Sequence, residues 1–152
     1  MSPAPSRRHR EVANRINVSL FNYLQQKVCR VYVAPFDVVL DRTGADTVVQ
    51  PDICVICDPE KLTDQGCSGP PDLVVEVLSP GNSSKEKRDK FELYQENGVL
   101  EYWIISLPEE TIYAYDLNDQ GIYVGRQPFI AGMILPSSAV TGFSLDVASA
   151  FA

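Results

Sequence analysis

No apolar run in this chain approaches the ~20 residues needed to cross a bilayer, so no membrane anchor is expected. The opening residues MSPAPSRRHR are basic but have no apolar stretch behind them. A secretory signal peptide is therefore unsupported, and a cytoplasmic protein is expected. Positive charge is scarce: 13 Lys and Arg stand against 20 Asp and Glu, a formal net charge of -7. That balance excludes a protein that coats nucleic acid by bulk electrostatics, which needs clustered Lys and Arg to neutralise phosphates. It does not exclude a metal-dependent nuclease, since acidic ligands add to the negative total and a bound cation offsets the field where a phosphate must approach. The basic residues that exist gather in two runs, Arg7, Arg8 and Arg10 at the start and Lys85, Lys87, Arg88 and Lys90 past the centre.

There are four cysteines, Cys29, Cys54, Cys57 and Cys67. Cys54 and Cys57 have the C-x-x-C spacing of zinc and redox sites. They lie in DICVICD, an apolar strand pattern, and residues three apart on a strand point to opposite faces. Reduced cysteines serving as small buried hydrophobes are expected. Internal repeats, low-complexity tracts and linkers are also lacking.

What is present is an ordinary globular composition, with 45% apolar and 22% charged residues in 152. The length suits one core and a single domain over residues 1–152. Val12, Ile16, Leu20, Tyr23 and Leu24 are spaced along one face of a helix that spans about Ser6 to Gln26. RVYVAPFDVVLD and TVVQPDICVICD, separated by the turn-like RTGAD, read as two consecutive antiparallel strands. DLVVEVLS is a short apolar run between prolines and predicts a central strand. Ser83 stands three residues before Glu86, a capping box, and Asn97-Gly98 is a good stop, so a helix is expected between them. EYWIIS, TIYAYDL and GIYVGRQPFI predict further strands, with PEE and NDQG as turns. The ending, LPSSAVTGFSLDVASAFA, carries no clear pattern. The order of elements predicts an α+β layer arrangement.

Two carboxylates carry the functional reading. Glu76 sits inside LVVEVLS, and burying a charge in a central strand is costly unless it is paired or coordinates a metal. If residues 47–58 and 72–79 pair antiparallel with position 52 opposite 78, Asp52 projects from the same face as Glu76 and both can grip one cation. Asp72 shares the parity of Glu76, but four strand residues put it about 13 Å away, so it reads as a turn or strand-start residue. Ordinary turn chemistry at Pro51-Asp52 is the alternative for Asp52, and an ion pair to the following helix is the alternative for Glu76. Tyr102 and Trp103 read as core aromatics.

The segments QPDICVICDPEKL, GPPDLVVEVLSP and KRDKFELYQENGVLEYWII resemble the Uma-two family of putative restriction endonucleases, a branch of the PD-(D/E)XK nuclease superfamily. SPAPSRRHREV resembles the family's helix-opening segment, so the resemblance covers almost the whole chain. Family members usually carry a short strand before this point, so an early strand is expected to be missing. The resemblance implies a restriction-endonuclease-like mixed sheet flanked by helices. It makes Asp52 the acid of the PD motif and Glu76 the first residue of the (D/E)XK motif. Together with the carbonyl of Val77, they would hold Mg2+ (or Mn2+).

The motif lysine normally stands two residues after Glu76, where this chain has Leu78. A helix packed through Phe91 and Tyr94 would place Lys90 on an adjoining face, with a stem long enough to reach Glu76. Lys90 is thus favoured over Lys87, and a solvated charge run with Glu86 and Asp89 is the alternative. His9 would be solvent-facing as a lone histidine at a helix start, yet the resemblance places its segment near the site. Glu11 is a weaker candidate for an additional acidic ligand. The implied function is a metal-dependent endodeoxyribonuclease using a metal-activated water, with DNA as substrate and a homodimer as its assembly. The other reading is a nuclease-fold module without catalysis, for nucleic-acid binding or protein interaction. Leu78 and the short start favour that module, whereas Asp52, Glu76 and Lys90 favour the enzyme.

Overall fold

The first helix begins where Ser6 caps it, its hydroxyl accepting the His9 amide at 3.1 Å. This helix, α1, spans Arg7–Tyr23 and buries Val12, Ile16 and Leu20 at intervals of four. It ends three residues short of the expected limit, and Gln26 takes a positive φ of 64°. The computed structural model describes residues 5–40 and 47–152.

Eleven strands follow among the described residues: β1 Arg30–Val33, β2 Asp37–Leu40, β3 Thr47–Val49, β4 Ile53–Ile56, β5 Gly66–Ser68, β6 Leu73–Leu78, β7 Glu101–Ser106, β8 Thr111–Leu117, β9 Tyr123–Gly125, β10 Ile134–Pro136 and β11 Ser144–Asp146. Helix α2, Ser84–Glu96, joins β6 to β7, and α3, Val147–Phe151, closes the chain. The main sheet has the order β1-β4-β6-β7-β8-β9 and is mixed: β6 and β7 are parallel across α2, and the other neighbours are antiparallel. Two smaller sheets have the orders β3-β2-β5 and β10-β11. This is the α+β arrangement of a mixed sheet flanked by helices. Among the described residues, no helix is long and apolar enough to cross a membrane.

Strand β6 reads as a near-continuous apolar run because both its faces are covered. Leu73, Val75 and Val77 face α1, with Ile53, Val55, Trp103 and Ile105 beside them. Val74 belongs to a second core with Cys54, Tyr94 and Tyr102 on the α2 side. Trp103 and Tyr102 are thus buried core aromatics, on opposite faces. Glu76 has the parity of Val74, so its carboxylate points toward α2. That helix has its expected ends: Ser83 accepts the Glu86 amide at 3.1 Å, and Gly98 follows with a φ of 82°.

The two long strands expected between residues 30 and 58 are corrected to four short ones. Proline has no amide to donate to a ladder, and Pro35 and Pro51 both fall at the break. Val33 pairs with Ile53 and Val38 with Val49, so five steps on one side face four on the other. That extra residue diverts the distal half, β2 and β3, into the second sheet. The RTGAD turn lies outside the described residues.

The cysteine expectation is also corrected in part. Cys29 and Cys57 follow on from the Arg30–Ile56 pair of the β1–β4 ladder and form a disulfide. Cys54 and Cys67 are free and buried, as expected. Cys54 and Cys57 do lie on opposite faces, and Asp72 does serve as a strand-start residue, accepting the Cys57 amide at 2.8 Å. Of GIYVGRQPFI, Tyr123–Gly125 forms β9 and Phe129 adds one isolated bridge to Ile112.

The unpatterned ending supplies Leu135, Phe143, Leu145, Val147 and Phe151 to the α1-side core. It is clasped to the sheet through Glu101, which is fully buried. One oxygen accepts from Trp103 Nε1 at 2.8 Å and Arg126 Nη2 at 2.5 Å. The other accepts from Ser137 Oγ at 2.6 Å and the amides of Ser138 and Ala139 at 3.1 Å each. An amide in place of this carboxylate turns an NH2 group toward donors and breaks the buried pair with Arg126. Glu101→Gln is expected to cost about 3 kcal/mol. Chemical denaturation with an unchanged m-value checks this, and a loss under about 0.5 kcal/mol would exclude the clasp.

Candidate functional site

The register of β4 on β6 brings the two carboxylates together. Ile53 lies opposite Val75, so the next step toward the site sets Asp52 opposite Glu76. The expected pairing of 52 with 78 is corrected by two residues, a shift that preserves the face because side chains alternate with period two. Each acid then binds the other's strand. The Asp52 amide donates to Glu76 Oε1 at 3.0 Å, and the Val77 amide donates to Asp52 Oδ2 at 2.8 Å.

Helix α2 supplies the cation. Lys90 Nζ donates to Glu76 Oε2 at 3.0 Å, and Tyr94, one helical turn later, donates its buried hydroxyl to the same oxygen at 2.8 Å. Leu78 lines the same cleft two residues after Glu76, where the motif lysine would stand. An apolar side chain there is thus matched by a lysine arriving from the covering helix. Lys87 lines the cleft as well, without touching either acid.

Helix α1 supplies His9, whose Nε2 lies 3.3 Å from Asp52 Oδ2. His9 is buried rather than solvent-facing, because it extends the Val12, Ile16, Leu20 stripe by one turn. That spacing was a readable signal. Glu11 is not brought to the group; it pairs with Arg7 at 3.6 Å on the surface of α1. The role of Tyr94 was missed by sequence reasoning, which took it only as a packing residue, although its spacing of four from Lys90 puts both on one face.

Burial dominates the electrostatics of Glu76. Desolvation raises its pKa, and the Asp52 charge adds to that, while Lys90 and the Asp52 amide pull it down. Burial opposes charge on Lys90, but the Glu76 carboxylate more than offsets this and raises its pKa. Hydrogen bonding to Asp52 raises the pKa of His9 against desolvation, with the Val77 backbone contributing. Burial lifts the Tyr94 hydroxyl far above the ordinary tyrosine range, so it remains a donor.

Among the described residues, no three or more His, Cys, Asp or Glu side chains converge as a preformed metal cluster. The donor set nevertheless fits a hard divalent cation. Mg2+ is commonly held by one or two carboxylates, with water and phosphate completing its shell. Asp52 Oδ1 has no hydrogen-bond partner among the described residues, although Oδ2 accepts from Val77 and contacts His9. Asp52 keeps 22% of its side chain exposed and Glu76 5%, and both line the cleft. About 200 Å3 of that cleft is open, room for several waters.

Asp52, one residue before β4, Glu76 on β6 and Lys90 on α2 thus meet on a mixed sheet flanked by helices. The fold matches a crystal structure described as a putative nuclease belonging to DUF820 from Anabaena variabilis ATCC 29413, with a TM-score of 0.77. That match covers 99% of this chain and 84% of the other at 18% identity. Residues 1–148 match the Uma2 model, described as putative restriction endonuclease, and the chain belongs to that family. It is also 30% identical over 143 residues to the uncharacterized protein slr1290 of Synechocystis sp. (strain ATCC 27184 / PCC 6803 / Kazusa). That alignment covers 93% of this chain and 74% of slr1290.

A carboxyl whose folded pKa lies above its unfolded value subtracts stability once it ionises in the fold. The penalty is absent below the unfolded pKa and complete above the folded one. Glu76→Gln removes that term. Its melting temperature relative to wild type is expected to climb as pH rises from about 4, the usual glutamate range. A difference that stays flat or falls with pH would show that the partners of Glu76 outweigh its desolvation.

Proposed function

We propose that this chain is a Mg2+- or Mn2+-dependent endodeoxyribonuclease that hydrolyses phosphodiester bonds. The observation that carries this reading is Lys90 Nζ at 3.0 Å from Glu76 Oε2, beside Asp52, in a cleft where Leu78 stands at the motif lysine's position. Structural ion pairs are common, but this one borders an unengaged carboxylate oxygen rather than a sealed core.

Asp52, Glu76 and the Val77 carbonyl would hold the cation. Such a cation polarises a phosphate oxygen and lowers the pKa of a bound water. Lys90 keeps its ammonium charged, donates hydrogen bonds that help position the attacking water, and supplies positive charge where the phosphate gains negative charge, a preorganised contribution that costs no rearrangement. Tyr94 and the Asp52 amide keep the Glu76 carboxylate in one orientation. His9 steadies Asp52 from the opposite wall. Leu78 and Ile104 give the cleft an apolar side that limits water. Cleavage of both strands of a duplex calls for two such sites, so a homodimer belongs to this reading.

One observation favours the second reading, a module that keeps the fold without the chemistry. Both Glu76 oxygens already accept protein donors. Calorimetry with Mn2+ and nicking of supercoiled plasmid separate the two. Asp52→Ala and Glu76→Ala are expected to abolish both signals. Lys90→Ala is expected to retain cation binding while slowing nicking by about 10²- to 10³-fold. No cation binding at about millimolar concentration, with no nicking, would establish the module instead.

A further inference from the structure

A nucleic acid that reaches Asp52 must approach a protein of net charge -7. At physiological salt, charges more than about 8 Å apart are largely screened, so the cations nearest the cleft decide the local field. Most of the basic side chains in the two sequence runs are paired within the protein. Arg7 pairs with Glu11, Arg8 with Glu110, Lys85 with Asp89 and Lys90 with Glu76. The side chains of Arg10, Lys87 and Arg88 have no hydrogen bond or ion pair among the described residues.

Two of those three unpaired cations border the candidate site, from opposite sides. Lys87 lines the cleft of Asp52 and Glu76, with Asn82 beside it. Arg10 lines a second cleft with Asn14 and Asn17. The two clefts share Pro5, His9 and Asp52 as walls. Arg10, Asn14 and Asn17 are spaced by four and three on α1, so they lie along one face of the helix. The amides of Asn14 and Asn17 also have no partner among the described residues. Arg10 therefore stands on one side of the Asp52–Glu76 pair and Lys87 on the other, with Glu86 and Lys90 of α2 lining the same cleft as Lys87. Arg, Lys and Asn are the side chains that grip phosphate and sugar oxygens without reading sequence.

We infer that the two clefts form one track for a phosphodiester backbone. The strand passes Arg10, Asn14 and Asn17, crosses Asp52 and leaves beside Lys87, so Arg10 and Lys87 hold the phosphates flanking the one at the acids. This inference rests on the nuclease reading and adds the path of the substrate. Arg88 is exposed and unpaired one residue from Lys87, yet it lines neither cleft, which makes it the internal control.

The test uses Glu76→Gln protein in EDTA, where the acid pair is half neutralised and cleavage cannot interfere. Binding to a fluorescein-labelled DNA duplex of about 20 base pairs is followed by anisotropy from about 50 to 200 mM KCl. Arg10→Ala and Lys87→Ala are each expected to weaken binding at least about fivefold and to lower the salt slope by about one, while Arg88→Ala changes neither. Equal losses in all three variants, losses in none, or no binding by the Glu76→Gln protein at about 50 mM would overturn the track. Plasmid nicking by the wild type alongside any of those results leaves the nuclease reading standing. A track that behaves as expected in a protein that never nicks faults the nuclease reading instead.

Discussion

The Glu76 carboxylate, lying in a main-sheet strand covered on both faces, is the constraint on which the site depends. A charge taken out of water is costly unless every oxygen finds a partner, and three elements converge to supply them. Strand β4 brings the Asp52 amide, and α2 brings Lys90 and Tyr94. Helix α1 then meets Asp52 through His9. The packing of both helices on the sheet and the geometry of the site are thus consequences of where one acid sits.

Glu101 is buried even more completely, and the comparison shows what separates a clasp from a site. Its two oxygens take five donors, one of them the Arg126 guanidinium, and seal a loop against the sheet. Nothing of its carboxylate is accessible. Glu76 shares its surroundings with Asp52, which keeps an oxygen unengaged in an open cleft. Buried charge is common to both; a neighbouring, partly exposed carboxylate with an unengaged acceptor oxygen belongs to Glu76 alone of the two.

Much of the site was legible from local rules. The capping box at Ser83 and the stop at Gly98 set the bounds of α2, and that register made Lys90 face Glu76 rather than Lys87. Period-two alternation was enough to put Asp52 and Glu76 on one face even with the pairing misplaced by two residues. The burial of His9 was missed, although it is one more step of the Val12, Ile16, Leu20 stripe. The split of the long hairpin, the Cys29–Cys57 disulfide and the hydrogen bond from Tyr94 to Glu76 were not legible. Each depends on which segments lie side by side, and local hints such as Pro35, Pro51 and the Lys90–Tyr94 spacing do not name those partners.

By itself the sequence determined α1, α2 and the main strands, the alternation of faces and the acid at Glu76 whose burial demands partners, because helix caps, turn residues and apolar periodicity act over a few residues. Tertiary structure alone decided which donors meet those acids. Asp52 stands opposite Glu76 because β4 pairs with β6 in one register, and Lys90 reaches Glu76 because α2 crosses above β6. Partner choice is settled by packing between segments distant in the chain, where the cost of an unsatisfied buried charge outweighs every local preference.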